Sequence, residues 1–285
     1  MELLGMELLD MARCRTLSQP LDGNCVVLMK RAISILLLIV CFTAASWSFE
    51  GKMAAVPVLV ELFTSEGCSS CPPADAWLQQ MDATQPVAGA QLIVLSEHVD
   101  YWNHDGWRDP YSSSLLTERQ RDYEHVLRMD SPFTPQVVVN GTVDLKLSDA
   151  QFLRQTFQRA ATISTLPVTI TSLAFDPGNP AILRARVDVD SGSAERSADV
   201  YEAVTLDHAE SQVLHGENGG KHLTHVAVVQ QFEKIGKIEK GKPFSRTIKL
   251  ALKPGADPKN IRLIIFVQEP GPGKVLGAAL QGPIN

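Results

Sequence analysis

The chain has 285 residues, of which 45% are hydrophobic, and a formal net charge of −6 at pH 7. This length allows one large domain or two ordinary ones, and the apolar content is enough for a sizeable core. The acidic balance, spread along the sequence, excludes the basic surface of a nucleic-acid-binding protein, so we expect no nucleic-acid partner.

The N-terminal region is predicted to be a processing segment. A basic start at 29–31 precedes an apolar stretch at 32–45 that is too short to span a bilayer comfortably. We therefore predict a signal peptide at 29–48, a non-native extension at 1–28, and a periplasmic or secreted mature protein. The alternative is an uncleaved signal that anchors the chain, the one form in which it would contact a membrane.

Export would leave two cysteines in the mature chain. Cys68 and Cys71 lie three residues apart in the stretch EGCSSCPPADAWL, whereas the other cysteines precede the end of the predicted signal peptide. In an oxidising compartment such a pair is expected to be mainly a disulfide unless a reductant maintains the thiols.

After the signal peptide, the predicted order is strand, helix, strand, helix, hairpin and helix. The strands are rich in apolar and β-branched residues, and the helices are amphipathic. The elements are, in chain order, the strand 56–65, the helix that Pro72 and Pro73 open, the strand 91–96, the helix 115–127, the hairpin 135–147 with an Asn-Gly turn, and the helix that Asp149 caps. This is the element order of a thioredoxin fold, which we predict for residues 54–162.

Beyond residue 163 the pattern changes to short strands. The segments 181–190 and 247–252 alternate apolar and polar residues, and 261–267 is a buried apolar run. Turn sequences rich in Gly and Pro separate these segments, as is typical of a β-sandwich. We therefore predict an α+β chain in which a thioredoxin-like N-terminal domain is followed by a β-sandwich-like domain at 163–285.

The chemistry of the chain is predicted at the cysteine pair. A cysteine before a helix faces free backbone N–H groups and the positive end of the helix dipole, which favour the thiolate. Cys68 is therefore the candidate nucleophile, and Cys71 can resolve a mixed disulfide; the nearby acids Glu66 and Asp75 oppose thiolate formation. We predict a thiol–disulfide oxidoreductase that needs no bound cofactor and acts on a protein or small thiol/disulfide substrate with a redox partner.

The pair also has three alternative roles. It can be a structural disulfide in a non-catalytic binding module, half of a zinc site with His98 and His104, or part of a copper-delivery protein that uses both thiols and a histidine. Because zinc normally takes four ligands and the mature sequence has no second cysteine pair, we predict no metal site.

Four positions outside the pair are further candidates. Pro135 precedes the hairpin, where a thioredoxin fold places a cis-proline against the sulfurs, and Thr134 and Gln136 beside it would bind the substrate backbone. The alternative is an ordinary trans proline that opens a strand.

Glu61 lies in the first strand and can accept the proton of the resolving thiol if it is buried. The alternative is a glutamate that faces solvent or an edge strand.

The loop SEHVDYWNHDGWRDPY (96–111) is a candidate binding site because it concentrates aromatic and titratable side chains after the second strand. Trp102 and Trp107 can hold an apolar ligand or a peptide, and His98 with Asp100 can form a proton relay. The alternative is a small core that ties the loop to the sheet.

Several segments together resemble a known family. ELFTSEGCSSCPPAD, HVDYWNHDGW, RQRDY, TPQVVVNG and HGENGGKHLTHVAVVQQF are similar to the domain of unknown function family 1223, secreted bacterial proteins with a thioredoxin-like region. The resemblance covers roughly residues 56–285, and it implies a thioredoxin-like fold and export but no established substrate.

The stretch GENGG (216–220) with His222 and His225 indicates either a turn and strand or a ligand or partner site.

Overall fold

The computed structural model describes residues 55–104, 106–190, 192, 196–253 and 255–282. The predicted signal peptide and the extension before it lie outside the described residues. The described residues belong to one compact unit. Within this part of the chain, every helix is too short or too polar to span a membrane.

The local elements follow the sequence closely in the first half of the chain. Asp149, for example, caps its helix by accepting hydrogen bonds from the backbone N–H groups of Gln151 and Phe152. The strands and α-helices of the described residues are, in chain order, β1 (Val56–Thr64), α1 (Pro72–Thr84), β2 (Ala90–His98), α2 (Ser114–Leu127), β3 (Gln136–Val139), β4 (Val143–Asp144), α3 (Ala150–Ala160), β5 (Val168–Asp176), β6 (Asn179–Val189), β7 (Ala198–Gln212), β8 (His222–Ile238), β9 (Phe244–Ala251), β10 (Ile261–Gln268) and β11 (Val275–Gln281).

The predicted fold class is wrong. One mixed sheet contains eight strands in the order β11-β10-β7-β8-β2-β1-β3-β4, so it takes strands from both sides of residue 163. Strands make up 45% of the structure and helices 19%. The chain is therefore mostly β, and it is not a thioredoxin-like α+β domain followed by a separate sandwich.

The two halves of the large sheet meet at β2 and β8. These strands run parallel and pair at Ser96 and Val228. On one side, β1 pairs with β2 in parallel and with β3 in antiparallel orientation. On the other side, the pairs β8–β7, β7–β10 and β10–β11 are all antiparallel. The C-terminal strands thus cover the edge that β2 would otherwise expose.

A smaller sheet, β5-β6-β9, packs against the C-terminal part of the large one. Leu183 and Val187 of β6 point inward and share a core with Val200 of β7 and Ile265 of β10. The alternation in 181–190 correctly predicts a strand with one buried face. The layer opposite that face is the end of the eight-stranded sheet.

The helices α1 and α2 lie on opposite faces of β1. The α1 side chains pack with Val60 and Leu62, whereas α2 contributes to the cores that contain Leu59 and Phe63. Because successive residues of a strand point to opposite faces, Glu61 points towards α2. The cysteine turn leads into α1, so this alternation separates Glu61 from it.

Candidate functional site

Cys68 and Cys71 form a disulfide in the turn between β1 and α1, which confirms the predicted pairing. Their Cα atoms are 5.5 Å apart. The amide of Cys68 donates to the carbonyl of Ser65, and the amide of Cys71 donates to the carbonyl of Cys68, both over 3.2 Å. Both cysteines are buried, with Cys68 1% and Cys71 0% exposed. A reagent can therefore reach the sulfurs only after the turn opens.

The start of α1 offers little to a thiolate. Pro72 and Pro73 occupy the first two helical positions and have no N–H group. The next two amides, of Ala74 and Asp75, both donate to the carbonyl of Cys71 over 2.8 and 3.1 Å. The N–H groups expected to stabilise a thiolate are thus either missing or already bonded.

A hydroxyl and a carbonyl flank Cys68 instead. Ser70 Oγ lies 3.3 Å from Cys68 Sγ, and the carbonyl oxygen of Thr134 lies 3.8 Å from the same sulfur. The Thr134–Pro135 peptide is cis, as predicted. A disulfide sulfur has no proton to donate, so the Thr134 contact can become a hydrogen bond only in the reduced thiol, whereas Ser70 can donate in either state.

Gln136 lies inside the structure and not on a free edge. It is 1% exposed and pairs with Phe63 of β1. Its side-chain oxygen accepts a hydrogen bond from Gln120 over 2.9 Å, and its side-chain nitrogen lies 3.0 Å from the sulfur of Met129. Of the two positions predicted to bind a substrate backbone, only Thr134 lies against the disulfide.

Glu61 is held by α2. Its Oε1 accepts hydrogen bonds from Arg119, including one from Nε over 2.7 Å, and its Oε2 accepts one from the hydroxyl of Tyr123 over 2.6 Å. The Arg119 guanidinium also lies over the Phe232 ring, 4.6 Å from its centroid. The Glu61 carboxylate is therefore neutralised on the α2 face and unavailable to a thiol on the α1 face.

Glu97 and Gln268 extend this buried network. The Glu97 carboxylate lies 3.6 Å from Arg119 Nε, and burial together with the charge of Glu61 raises the pKa of Glu97 well above its usual range. Gln268 of β10 donates to the hydroxyl of Tyr123 over 2.9 Å and accepts from Arg119 over 3.3 Å. The network ties α2 and the first two strands to the C-terminal half of the sheet.

A second group of titratable side chains lies beside the disulfide. We call it the acid–histidine cluster; every member is at most 5% exposed, and its members are Glu66, Asp75, His98, Asp109 and His225. The turn, α1, β2, the loop after β2, and β8 each contribute one of them. Distant parts of the chain thus bring three carboxylates and two imidazoles together next to the two cysteines.

One half of the acid–histidine cluster is centred on Asp109. Its Oδ2 accepts hydrogen bonds from His98 Nδ1 over 2.7 Å and from the amide of Glu66 over 2.9 Å. Burial alone would raise the pKa of Asp109, but the charge and hydrogen bond of His98, with the amides of Glu66 and Tyr111, outweigh it and lower that pKa. His98 therefore pairs with Asp109. Asp100, the predicted partner of His98, instead accepts a hydrogen bond from the Thr117 hydroxyl.

The other half is centred on His225. Its Nε2 lies 3.2 Å from Glu66 Oε1, and its Nδ1 lies 3.8 Å from Asp75 Oδ1, too far for a hydrogen bond but close enough for an ion pair. Burial alone would lower the pKa of His225, but its contacts with Asp75 and Glu66 outweigh it and raise that pKa to about 9. The rings of His98 and His225 meet edge to face, with centroids 4.7 Å apart.

The aromatic loop is tied to the same turn. Trp102 donates its indole N–H to Thr134 Oγ1 over 2.8 Å, and Trp107 donates to Glu66 Oε2 over 2.8 Å. A Cβ added at Gly67 would lie 3.0 Å from the Cβ of Trp102. Trp102 thus contacts Thr134, whose carbonyl lies against Cys68, and Trp107 contacts Glu66, two residues before Cys68 in the chain. These contacts support the interpretation of the loop as a small core around the site.

The GENGG segment also contacts the cysteine turn. Asn218 is 0% exposed and donates hydrogen bonds to the carbonyl oxygens of Glu66 and Cys68, over 2.8 and 2.9 Å. Glu217 accepts the amide hydrogen of Ser69 over 2.9 Å. This part of the β7–β8 loop (213–221) is therefore an internal partner of the turn.

Sequence reasoning missed several of these residues. Asp109 and Asn218 lie in segments that the sequence singled out, the loop 96–111 and GENGG, but their own roles depend on contacts made across the fold. Two signals were available: Asp75 follows Cys71 by one helical turn, and the spacing of Arg119 and Tyr123 places both on one face of α2. In the described ranges, no group of three or more His, Cys, Asp or Glu side chains has an arrangement that could hold a metal ion.

Comparison with known proteins identifies a family. A family model described as "Protein of unknown function (DUF1223)" matches residues 59–268. A crystal structure of an Agrobacterium tumefaciens protein, a structural-genomics target, is 30% identical, covers 81% of this chain and 96% of its own, and superposes with a TM-score of 0.63.

Two further solved structures are only weakly similar. The sporulation control protein Spo0M from Bacillus subtilis is 11% identical over 42% of this chain and 48% of its own, with a TM-score of 0.29. A domain of the outer membrane lipoprotein Omp28 from Porphyromonas gingivalis is 13% identical over 41% and 94%, with a TM-score of 0.26. Neither TM-score indicates a shared fold, and no protein of curated function matches. The chain belongs to the DUF1223 family of proteins of unknown function.

Proposed function

We propose that the protein is an exported thiol–disulfide oxidoreductase and that Cys68 and Cys71 exchange electrons with its substrate. The observation that carries this proposal is the position of Cys68 Sγ, 3.8 Å from the carbonyl of Thr134, in a turn that leads into a helix. That carbonyl can accept a hydrogen bond from the Cys68 thiol in the reduced protein, and the Ser70 hydroxyl can donate one to the thiolate. Both the thiol and the thiolate of a reduced Cys68 thus have a polar partner.

The exchange has two balanced steps. The Cys68 thiolate attacks one sulfur of a substrate disulfide, and the other substrate sulfur leaves as a thiolate that takes up a proton. Cys71 then loses its proton and attacks Cys68 Sγ, which forms the internal disulfide and releases the second substrate thiol. The protein dithiol is oxidised and the substrate disulfide is reduced; the reverse sequence oxidises a substrate dithiol.

The substrate in this proposal is a protein or a small molecule that carries a thiol or a disulfide. A periplasmic or secreted location would suit the chemistry, because disulfides persist in such compartments and a redox partner is needed there to reset the pair. The apolar stretch at 32–45 supports export.

A second candidate, a non-catalytic binding module with a structural disulfide, is favoured by burial. Both sulfurs are inaccessible, and Asn218 holds the backbone of the turn. Reactive cysteines are usually partly exposed, whereas buried structural cysteines are inert. The two candidates therefore differ in whether a reagent can reach Cys68 without unfolding the protein.

The Cys71→Ser variant distinguishes them. It leaves one thiol that can attack but cannot be resolved, so incubation with oxidised glutathione under native conditions should produce a stable mixed disulfide on Cys68. Peptide mapping by mass spectrometry would locate the adduct. The Cys68→Ser variant is the matched control, because it has the same loss of the internal disulfide and should trap little glutathione on Cys71.

A purely structural disulfide would give a different result. Both single variants would then melt earlier than the oxidised protein by a similar amount, and neither would form the adduct while folded. That outcome would exclude the oxidoreductase and leave the binding module.

A further inference from the structure

We infer that Asp75, positioned by His225, is the base that accepts the proton of Cys71 when that thiol attacks the mixed disulfide. This inference rests on the proposed exchange function and assigns the proton transfer of its second step.

Asp75 is the acidic residue in the first turn of α1, the turn that Cys71 precedes. It follows Cys71 by four residues, and its amide donates to the Cys71 carbonyl over 3.1 Å. Side chains at i and i+4 share a helix face and lean towards the helix N-terminus, so Asp75 lies on the helix face that continues from Cys71. Glu61, the acid that the sequence suggested for this role, lies on the opposite face of the sheet.

The Asp75 carboxylate is buried and has spare capacity to accept a hydrogen bond. The residue is 5% exposed, and within the described residues its Oδ1 has no hydrogen-bond partner. An unbonded buried carboxylate oxygen is costly unless another state of the protein uses it. A thiol proton arriving from Cys71 would supply the missing partner, and the disulfide state shown here has no such proton.

His225 faces the same oxygen of Asp75. Its Nδ1, which also has no hydrogen-bond partner in the described part of the chain, lies 3.8 Å from Asp75 Oδ1, and Glu66 fixes the ring through Nε2. With its pKa raised to about 9, His225 is charged at neutral pH and keeps the carboxylate in place. His225 is thus a positioning residue.

Further titratable groups surround Asp75 and His225. Glu66 from the turn, His98 from β2 and Tyr111 from the loop after β2 contact His225, and Asp109 of the same loop is bonded to His98. In the second step the proton passes from Cys71 to Asp75, the Cys71 thiolate bonds to Cys68 Sγ, and the departing substrate thiolate takes a proton from Asp75 or water.

The test separates the two steps of exchange. Reduced protein is mixed with oxidised glutathione, the reaction is quenched with acid at intervals, and mass spectrometry follows the Cys68 adduct and the internal disulfide. In Asp75→Asn we expect adduct formation at the wild-type rate and resolution slowed by about 100-fold at pH 7, the lower end of what a positioned base contributes. The defect should shrink as pH rises, because hydroxide then removes the thiol proton.

Three variants complete the test. Asp82→Asn changes another acid of α1 and should resolve at the wild-type rate. Asp75→Glu keeps a carboxylate and should restore most of the resolution rate. His225→Asn should slow resolution and leave adduct formation unchanged. This variant keeps the inference testable if circular dichroism shows that Asp75→Asn is unfolded.

The failures are distinguishable. If Cys71→Ser traps no glutathione, the proposed function itself falls. If Cys71→Ser traps glutathione but Asp75→Asn and His225→Asn both resolve the adduct at the wild-type rate, the exchange function stands and Asp75 is not its base.

Discussion

The side-chain amide of Asn218 donates a hydrogen bond to the carbonyl oxygen of Cys68, 150 residues earlier in the chain, over 2.9 Å. The same nitrogen donates to the carbonyl of Glu66, so one buried side chain holds the backbone on both sides of Gly67. Neither bond involves a sulfur atom. The contact can therefore persist in both redox states, and we expect it to control access to the buried cysteines.

Asn218→Ala should make the disulfide easier to reduce. The variant removes two hydrogen bonds that stabilise the closed turn. If the closed turn is destabilised by about 1.4 kcal/mol relative to the open one, the open turn becomes about tenfold more populated, and dithiothreitol should reduce the disulfide about tenfold faster. Thiol labelling followed by mass spectrometry measures this rate. Leu214→Ala, a change at a side chain of the same loop that is 63% exposed, is the control and should leave the rate unchanged. Equal rates in the two variants would contradict the role of Asn218.

Arg119→Met should destabilise the protein by about 3–5 kcal/mol, because it leaves the buried Glu61 carboxylate without its countercharge. The double variant Glu61→Leu with Arg119→Met removes both charges and should recover much of the loss. Denaturant unfolding measures both free energies. Arg184→Met breaks a surface pair with Asp176 and should change the free energy of unfolding far less. If Arg119→Met were as mild as that control, the network would not stabilise the fold.

His225 should make stability fall as the pH rises above neutrality. Its pKa is about 9 in the folded protein against 6.5 as the reference for the unfolded chain. The stabilisation from its proton is therefore complete below about pH 6.5 and is lost as the pH rises through about 9, a difference of about 3 kcal/mol in the free energy of unfolding.

Unfolding by urea at several pH values between 6 and 10 measures this dependence. His225→Asn should flatten it, whereas His222→Asn, on the same strand but half exposed, should keep the wild-type slope. A wild-type curve without a decline in this window would refute the assignment of the proton to His225.

Gly67→Ala should destabilise the turn by about 1–3 kcal/mol, as overpacking does in a closely packed site. The new Cβ would lie 3.0 Å from the Cβ and 3.2 Å from the carbonyl oxygen of Trp102. Thermal unfolding and tryptophan fluorescence would report the strain. At Gly178 the new Cβ would meet nothing closer than an Asp176 carboxylate oxygen at 3.5 Å, so Gly178→Ala is the control. A Gly67→Ala variant with the melting temperature of the control would show that Trp102 can move aside.

Local sequence patterns predicted the elements well, because periodicity and caps depend only on neighbouring residues. The buried run at 56–65, the prolines that open α1 and the cap at Asp149 all correspond to observed elements. The sheet order could not be read in this way. The pairing of Ser96 with Val228 joins strands that are far apart in sequence, and a strand in the middle of a sheet looks the same from sequence whichever strand covers it.

In the candidate site, too, the residues of short motifs could be predicted, whereas contacts between distant segments could not. Cys68, Cys71 and the cis bond before Pro135 follow from short motifs. Glu61 lies on the α2 face of the sheet, bonded to Arg119 and Tyr123, because a shift of one residue in a strand moves a side chain to the other face. His225 was visible as part of a distinctive segment, but its neighbours Glu66 and Asp75 are set by how β8 packs on α1, which no local pattern specifies.

The junction between β2 and β8 has a practical consequence for anyone who divides this protein. A recombinant fragment that ends near residue 162 would keep β1 on one side of β2 and expose the other edge to water. Leu92, Ile93, Val94 and Leu95 in that strand are at most 1% exposed in the whole chain. An uncovered apolar edge pairs readily with another copy of itself, so the fragment should aggregate even if its helices form. Assays on such a fragment would then report strand association and not the chemistry of the cysteines.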